Sequence, residues 1–209
     1  MSREQRHANM AAIKGRDTKP EMVVRRWLWS RGYRYRLNHR HLPGKPDLVL
    51  RKYRTCIFVN GCFWHGHEVT EECLTALLEA AKGAEGMAAV GEGRSLSWGS
   101  ACCHIPHTNT AFWVEKIRRN RERDREVQVR LAEMGWHCIT VWECELRGQK
   151  RLVRTAENDG QSVPEVLMRV EYLLNRFYLE DCQRFGKRKM DGHAYEMGEE
   201  EMTIAAEDC

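Results

Sequence analysis

The segment VNGCFWHGH, Val59 to His67, sets one cysteine, two histidines, a Phe-Trp pair and two glycines within nine residues. Cys62 and His67 stand five apart in a glycine-containing loop, a separation that lets both side chains converge on one Zn²⁺. Cys102 and Cys103 in CCHIPH and Cys144 in WEC can complete a four-ligand structural site from other segments. His65, between the two, is either a ligand itself or an imidazole suited to activating water. Phe63 and Trp64 are either core residues or, on a loop pinned by metal, an outward wedge that unstacks base pairs. In a second segment, LPGKPDLVL, two prolines and a glycine fix a turn, so Asp47 enters an apolar strand on a rigid backbone. Its carboxylate either bonds nearby backbone or ligates a hard cation such as Mg²⁺. For that ion one carboxylate and a backbone carbonyl suffice, because it keeps several waters.

These side chains need elements to hold them. Thr18 as N-cap, Pro20 in the first turn and Glu21 at the capping-box position predict a helix that Gly32 ends, with Val24, Trp27, Leu28 and Arg31 on one face. YRYRL alternates like a strand, LVL continues beyond the LPGKPD turn, and YRTCIFVN reads as a buried strand. A long helix is expected from Thr108 to Thr110 up to Gly135, with Ile117, Val127, Leu131 and Met134 inward. WHCITVWEC is the next strand, and VPEVLMRVEYLLNRFYLEDC a final helix. The order helix, three strands, helix, strand, helix predicts an α/β fold on a mixed sheet. Residues 1–148 are expected to form one domain, 149–186 a helical extension, and 187–209 a disordered acidic tail. Residues 74–101, rich in Ala, Gly, Glu and Ser, read as a surface insertion with a short helical stretch at LTALLEAA.

Composition narrows the partners. The chain has 209 residues, room for one core with appendages, and its net charge of +4 hides a basic front and an acidic end, GEEEMTIAAEDC. A basic front half attracts polyanions, nucleic acid foremost. The polar, basic start lacks the apolar stretch of a signal peptide, so a reducing cytoplasm is expected, with some of the nine cysteines free to bind metal. No apolar run approaches the roughly 20 residues of a membrane helix, and no membrane partner is expected.

Taken in order, LPGKPD, FVNGCFWHGH, IPHTNTAFWVEKIRRNRERD and GWHCITVWECEL resemble the very short patch repair (Vsr) DNA mismatch endonuclease family, over residues 6–148 apart from the insertion. The resemblance implies a restriction-endonuclease-like core of the PD-(D/E)xK superfamily. It implies Mg²⁺-dependent nicking of one strand 5′ to the thymine of a T:G mismatch, the lesion left by deamination of 5-methylcytosine. It makes Asp47 the catalytic metal-binding aspartate, Val59 a second metal contact through its backbone carbonyl, and His65 the histidine acting on water. Glu21 becomes an assisting glutamate that also serves its helix cap. Phe63, Trp64 and Trp113 become the aromatics inserted beside the mismatch. Cys62, His67 and Cys144 become zinc ligands, with the fourth from Cys73, Cys102 or Cys103. Cys102 or Cys103 is favoured, because they directly precede the resumed motif. The sequence departs from the pattern at Asn60, where some members carry a second active-site histidine and where an amide could orient phosphate or water. The Asp/Glu-x-Lys element is also absent, a histidine replacing its lysine. Basic side chains that include some of Arg25, Arg26, Arg34, Arg36 and the run Arg118 to Arg125 are expected to supply phosphate contacts. Duplex DNA with a T:G mismatch is the implied partner of a monomer in a bacterial cytoplasm, associated with the nucleoid, with mismatch repair proteins as further partners. The rivals are a restriction-type nuclease of the same fold and a zinc-stabilised DNA-binding module without catalysis.

Overall fold

The computed structural model describes residue 5 and residues 15–82, 99–147, 152–154 and 162–186. Helix α1 (Lys19–Ser30) begins with the expected capping box: the Glu21 N–H donates to Thr18 Oγ1, and the Thr18 N–H donates back to the Glu21 carboxylate. Strands β1 (Arg36–Leu37), β2 (Leu48–Leu50) and β3 (Thr55–Asn60) form an antiparallel series. Among the described residues, three helices lie between β3 and the next strand: α2 (Cys62–His65), α3 (Glu71–Lys82) and the long α4 (Thr110–Glu133). Strand β4 (His137–Trp142) then pairs parallel with β3, completing the mixed sheet β1-β2-β3-β4. A short helix α5 (Glu143–Leu146), a hairpin of β5 (Leu152–Arg154) with β6 (Ser162–Pro164), and helix α6 (Glu165–Phe185) follow. The expected mixed α/β architecture is therefore observed. Among the described residues no helix is long and apolar enough to cross a membrane.

Strands β2, β3 and β4 carry apolar residues on both faces because helices cover both. Leu48, Leu50, Ile57, Ile139 and Val141 point to a core shared with Val24 and Leu28 of α1 and with Val166, Leu167, Val170 and Leu174 of α6. Val49 and Cys56, one residue out of phase, face Leu42, Leu131 and Trp136 on the other side. Helix α6, expected as an extension, thus contributes to the main core. The segment expected as a surface insertion likewise starts inside the protein. Leu74 and Leu77 of α3 are fully buried against Val114 and Ile117 of α4. The periodicity of LTALLEAA carried that signal, and the Ala, Gly and Ser around it masked it. Residues 83–98 and the expected acidic tail lie outside the described residues.

Two local devices place the site. Gly44 of the LPGKPD turn has φ +72, and a Cβ there would meet Val127 of α4 at 2.5 Å, so the turn packs directly on that helix. The β3–β4 register pairs Asn60 with Trp142, so Cys62 and Cys144 each lie two residues beyond the paired carboxyl ends of two parallel strands. In open α/β sheets that end is where ligand sites form.

Candidate active site and metal centre

Asp47 is half-buried at the entry to β2, and its Oδ2 accepts a hydrogen bond from the Val59 N–H at 2.8 Å. Burial pushes its carboxyl up to about 6. The Val59 N–H opposes this, nearby Glu21 adds to it, and the charges of Arg25 and His65 oppose it more weakly. Glu21 is 2% exposed; besides its cap role it ion-pairs with the buried Arg25, which also reaches Asp17 at 2.5 Å. One carboxylate therefore serves both the helix cap and the Asp47 neighbourhood. Asn60 is half-buried at the end of β3.

His65 ends α2, and its Nδ1 pairs with the Asp124 carboxylate of α4. A carboxylate on Nδ1 fixes the tautomer and leaves Nε2 to accept a proton. Asp124 escaped the sequence reading. Its signal was spacing, since 117, 120, 121 and 124 share one helical face that starts at the fully buried Ile117. That face grips the loop: Asn120 Nδ2 donates to the Trp64 carbonyl at 2.7 Å. Arg121 donates to the carbonyls of His65 at 3.2 Å, Val69 at 2.5 Å, and Gly66. Phe63, Trp64 and Trp113 form a half-buried trio with ring centroids 5.0–6.1 Å apart. Phe112, also missed, extends the trio at 5.1 Å from Trp113 and is 54% exposed.

The third group is thiol-rich. One ligand atom each from Cys62, His67, Cys102 and Cys144 lies within 4.8 Å of the others. His67 Nδ1 faces the thiols of Cys102 at 3.2 Å, Cys144 at 3.3 Å and Cys62 at 3.8 Å. Of the two adjacent candidates only Cys102 joins the cluster. Cys103 is 1% exposed, and its thiol turns to the Phe63 carbonyl at 3.9 Å. The turn between them is fixed by Ser100, whose hydroxyl donates to the His67 carbonyl at 2.6 Å and accepts from the Cys103 N–H at 3.1 Å. Cys73 packs beside this core but is not in the group. His67 stacks on Trp142 at 4.1 Å, and burial pushes its imidazole below the ordinary range, toward the neutral, metal-ligating form. Burial also pushes the Cys62 and Cys144 thiols up. Three crowded thiols and a neutral imidazole are a donor set that suits Zn²⁺.

The cations expected to meet phosphate divide into engaged and accessible ones. Arg25 is buried in ion pairs, Arg118 bonds Glu71 at 2.5 Å, and Arg121 is held by loop carbonyls, so none of these three presents a free cation. Arg26 and Arg36 are exposed, and Arg34 lies over the Trp29 ring at 4.2 Å.

Comparison with known proteins identifies the family. The family model described as DNA mismatch endonuclease Vsr matches residues 1–71. The chain is 36% identical over 154 residues to the DNA mismatch endonuclease Vsr of Escherichia coli (strain K12), covering 72% of this chain and 77% of that protein. It is 39% identical over 140 residues to the type II nicking enzyme V.NmeAIP of Neisseria meningitidis serogroup A, covering 67% and 78%. It is 34% identical over 146 residues to the type II nicking enzyme V.XorIIP of Xanthomonas oryzae pv. oryzae, covering 70% and 85%. The chain belongs to the Vsr family of DNA mismatch endonucleases, and is a DNA-cleaving hydrolase.

Proposed function

We propose that this endonuclease nicks one strand of duplex DNA 5′ to the thymine of a T:G mismatch, with Mg²⁺ in the active site and Zn²⁺ in the thiol cluster. The observation that carries the reading is the convergence of Asp47, tied to the Val59 backbone, with the His65–Asp124 pair beside the carboxyl ends of β3 and β4. The name of the relative from Escherichia coli supports the mismatch, and those of the relatives from Neisseria and Xanthomonas support the nick.

Asp47 and the Val59 carbonyl are the residues that would hold Mg²⁺. Val59 engages Oδ2 of the carboxylate, which leaves Oδ1 for a second partner. A cation also suits the electrostatics, since a half-buried carboxylate beside Glu21 is disfavoured as an anion without one. When bound, the ion polarises the scissile phosphate and stabilises the leaving oxygen. His65 accepts the proton of the attacking water at Nε2, and Asp124 holds the ring and stabilises the imidazolium that forms. Glu21 fixes Arg25 and adds negative potential next to Asp47. Asn60 orients phosphate or water. Phe63, Trp64 and Trp113 enter the stack where weak pairing makes deformation least costly. Cys62, His67, Cys102 and Cys144 would hold Zn²⁺, which when bound pins the loop bearing His65 and the aromatics.

The test uses three duplexes that differ at one position: T:G, A:T and C:G. Nicking confined to T:G and dependent on added Mg²⁺ is expected. Equal cutting of all three overturns the mismatch reading in favour of a restriction-type nuclease, and binding without any nick overturns the catalytic one.

A further inference from the structure

Arg25, Arg118 and Arg121 are engaged by the protein itself, which leaves the phosphate contacts to other cations. An open cleft of about 660 Å³ adjoins the LPGKPD turn, lined by Gly15, Arg16, Asn38, Arg40 and Lys45. Three of these five residues are cations, all exposed, and among the described residues none of the three is paired with a carboxylate. Such a lining favours a polyanion over any apolar ligand.

The cleft is also built rather than incidental. Asn38 and Lys45 both hold left-handed backbone, with φ of 46° and 51°. That conformation persists for a lysine only where the surroundings impose it. Here the Lys45 N–H donates to the Leu42 carbonyl at 3.1 Å, with Leu42 and Pro46 buried on either side. The Asn38 N–H donates to the carbonyl of Asp47 itself at 3.2 Å, so the wall of the cleft is tied directly to the backbone of the candidate metal-binding aspartate. Lys45 precedes Asp47 by two residues, at most about 7 Å of chain. One DNA strand advances about 3.4 Å along the helix axis per nucleotide. Lys45 is therefore close enough to Asp47 to meet a phosphate neighbouring one held there.

We propose that this cleft is a phosphate seat, in which Arg16, Arg40 and Lys45 hold the backbone of the strand to be nicked next to its scissile bond. The proposal rests on the nicking activity described above and adds the contact that positions the strand. It contributes affinity without reading sequence, because phosphates carry none.

The test compares the full-length parent with an Arg40→Gln/Lys45→Gln variant and a charge-keeping Arg40→Lys/Lys45→Arg variant, on T:G and matched duplexes across a salt series. An Arg16→Gln variant provides a second, independent removal of charge, and thermal unfolding checks that each variant is folded. For every phosphate that a variant no longer neutralises, the slope of log affinity against log salt becomes shallower by about 0.9. The double Gln variant should lose one to two such units, bind both duplexes about tenfold more weakly at low salt, and show its nicking defect in KM more than in kcat. The charge-keeping variant should retain the parent slope. Folded Gln variants with the parent's slope and KM overturn the phosphate seat. A parent that binds DNA but fails to nick T:G duplexes overturns the proposed function instead, and the salt slopes still decide the cleft.

Discussion

The two candidate metal centres grow from the same pair of strand ends, yet they treat their titratable groups in opposite ways. The thiol cluster gathers four ligand atoms within 4.8 Å, and its donors face one another. Around Asp47 each group has its own polar partner: Glu21 has Arg25, His65 has Asp124, and Asp47 has the Val59 N–H. A set that is complete by itself closes around an ion and suits a structural role, whereas a set that leaves oxygen lone pairs unused keeps room for substrate and water. In the proposed function the first arrangement would stabilise a loop, and the second holds a carboxylate that burial disfavours as an anion, which a cation would relieve.

The largest effect should therefore come from Asp47. Asp47→Asn is expected to lower single-turnover nicking by about three orders of magnitude, the equivalent of several kcal/mol of lost cation binding and transition-state stabilisation. The same variant should be more stable than the parent. The folded-state value near 6 lies above the ordinary carboxylate value, so ionising Asp47 in the fold is unfavourable. The parent thus loses stability as pH rises from about 4 to 6, and Asn removes that loss. A gain of about 1–3 kcal/mol at pH 8, seen as a rise of several degrees in Tm, is expected. Parent nicking should fall as pH drops below about 6, where Asp47 protonates. An Asp47→Asn protein that melts earlier than the parent would break the contrast between the two centres.

Asp124→Asn comes next, at about 10² in nicking with DNA affinity unchanged, because an amide neither fixes the useful tautomer of His65 nor stabilises its protonated form. For the cluster the comparison is internal. Cys102→Ser should release bound zinc, measured by metal analysis of the folded protein, and weaken nicking about tenfold through the loosened loop. Cys103→Ser should keep its zinc, since that thiol points to the Phe63 carbonyl instead. The reverse result would exchange the two residues' roles.

The sequence displayed these two centres unequally. Asp47, His65, Cys62 and His67 sit in short motifs whose turns and spacing carry their chemistry, and Thr18 with Glu21 announced a helix start that is present atom for atom. What lay hidden depends on helix faces and on chain reversals. Asp124 reaches His65 across 59 residues because α4 crosses the loop, and a charge within NRERD reads as a solvated run until that crossing is known. The choice between Cys102 and Cys103 turned on Ser100, which sets the direction of two adjacent side chains by hydrogen bonds that no spacing rule contains. The engagement of Arg25 was hidden for a related reason. Its helical position faces Glu21 one turn earlier, and burial converted a would-be phosphate contact into an internal ion pair.

Arg121 joins the two centres and offers the smallest but sharpest test of their separation. Its guanidinium is held over the loop by the carbonyls of His65, Gly66 and Val69, the stretch that separates the candidate base from the candidate zinc ligand His67. A planar fork with five donors can bridge several carbonyls at once, which a lysine ammonium of shorter reach and different geometry does not reproduce. Replacing it by Met keeps an unbranched side chain on that helix face and leaves the loop carbonyls without those donors. If the two centres act independently, Arg121→Met should keep full zinc occupancy and lower nicking by about three- to tenfold, with Arg121→Lys between Met and the parent. Loss of zinc together with nicking would show instead that the loop is one cooperative unit, in which the closed cluster and the open site are held by the same three carbonyl contacts.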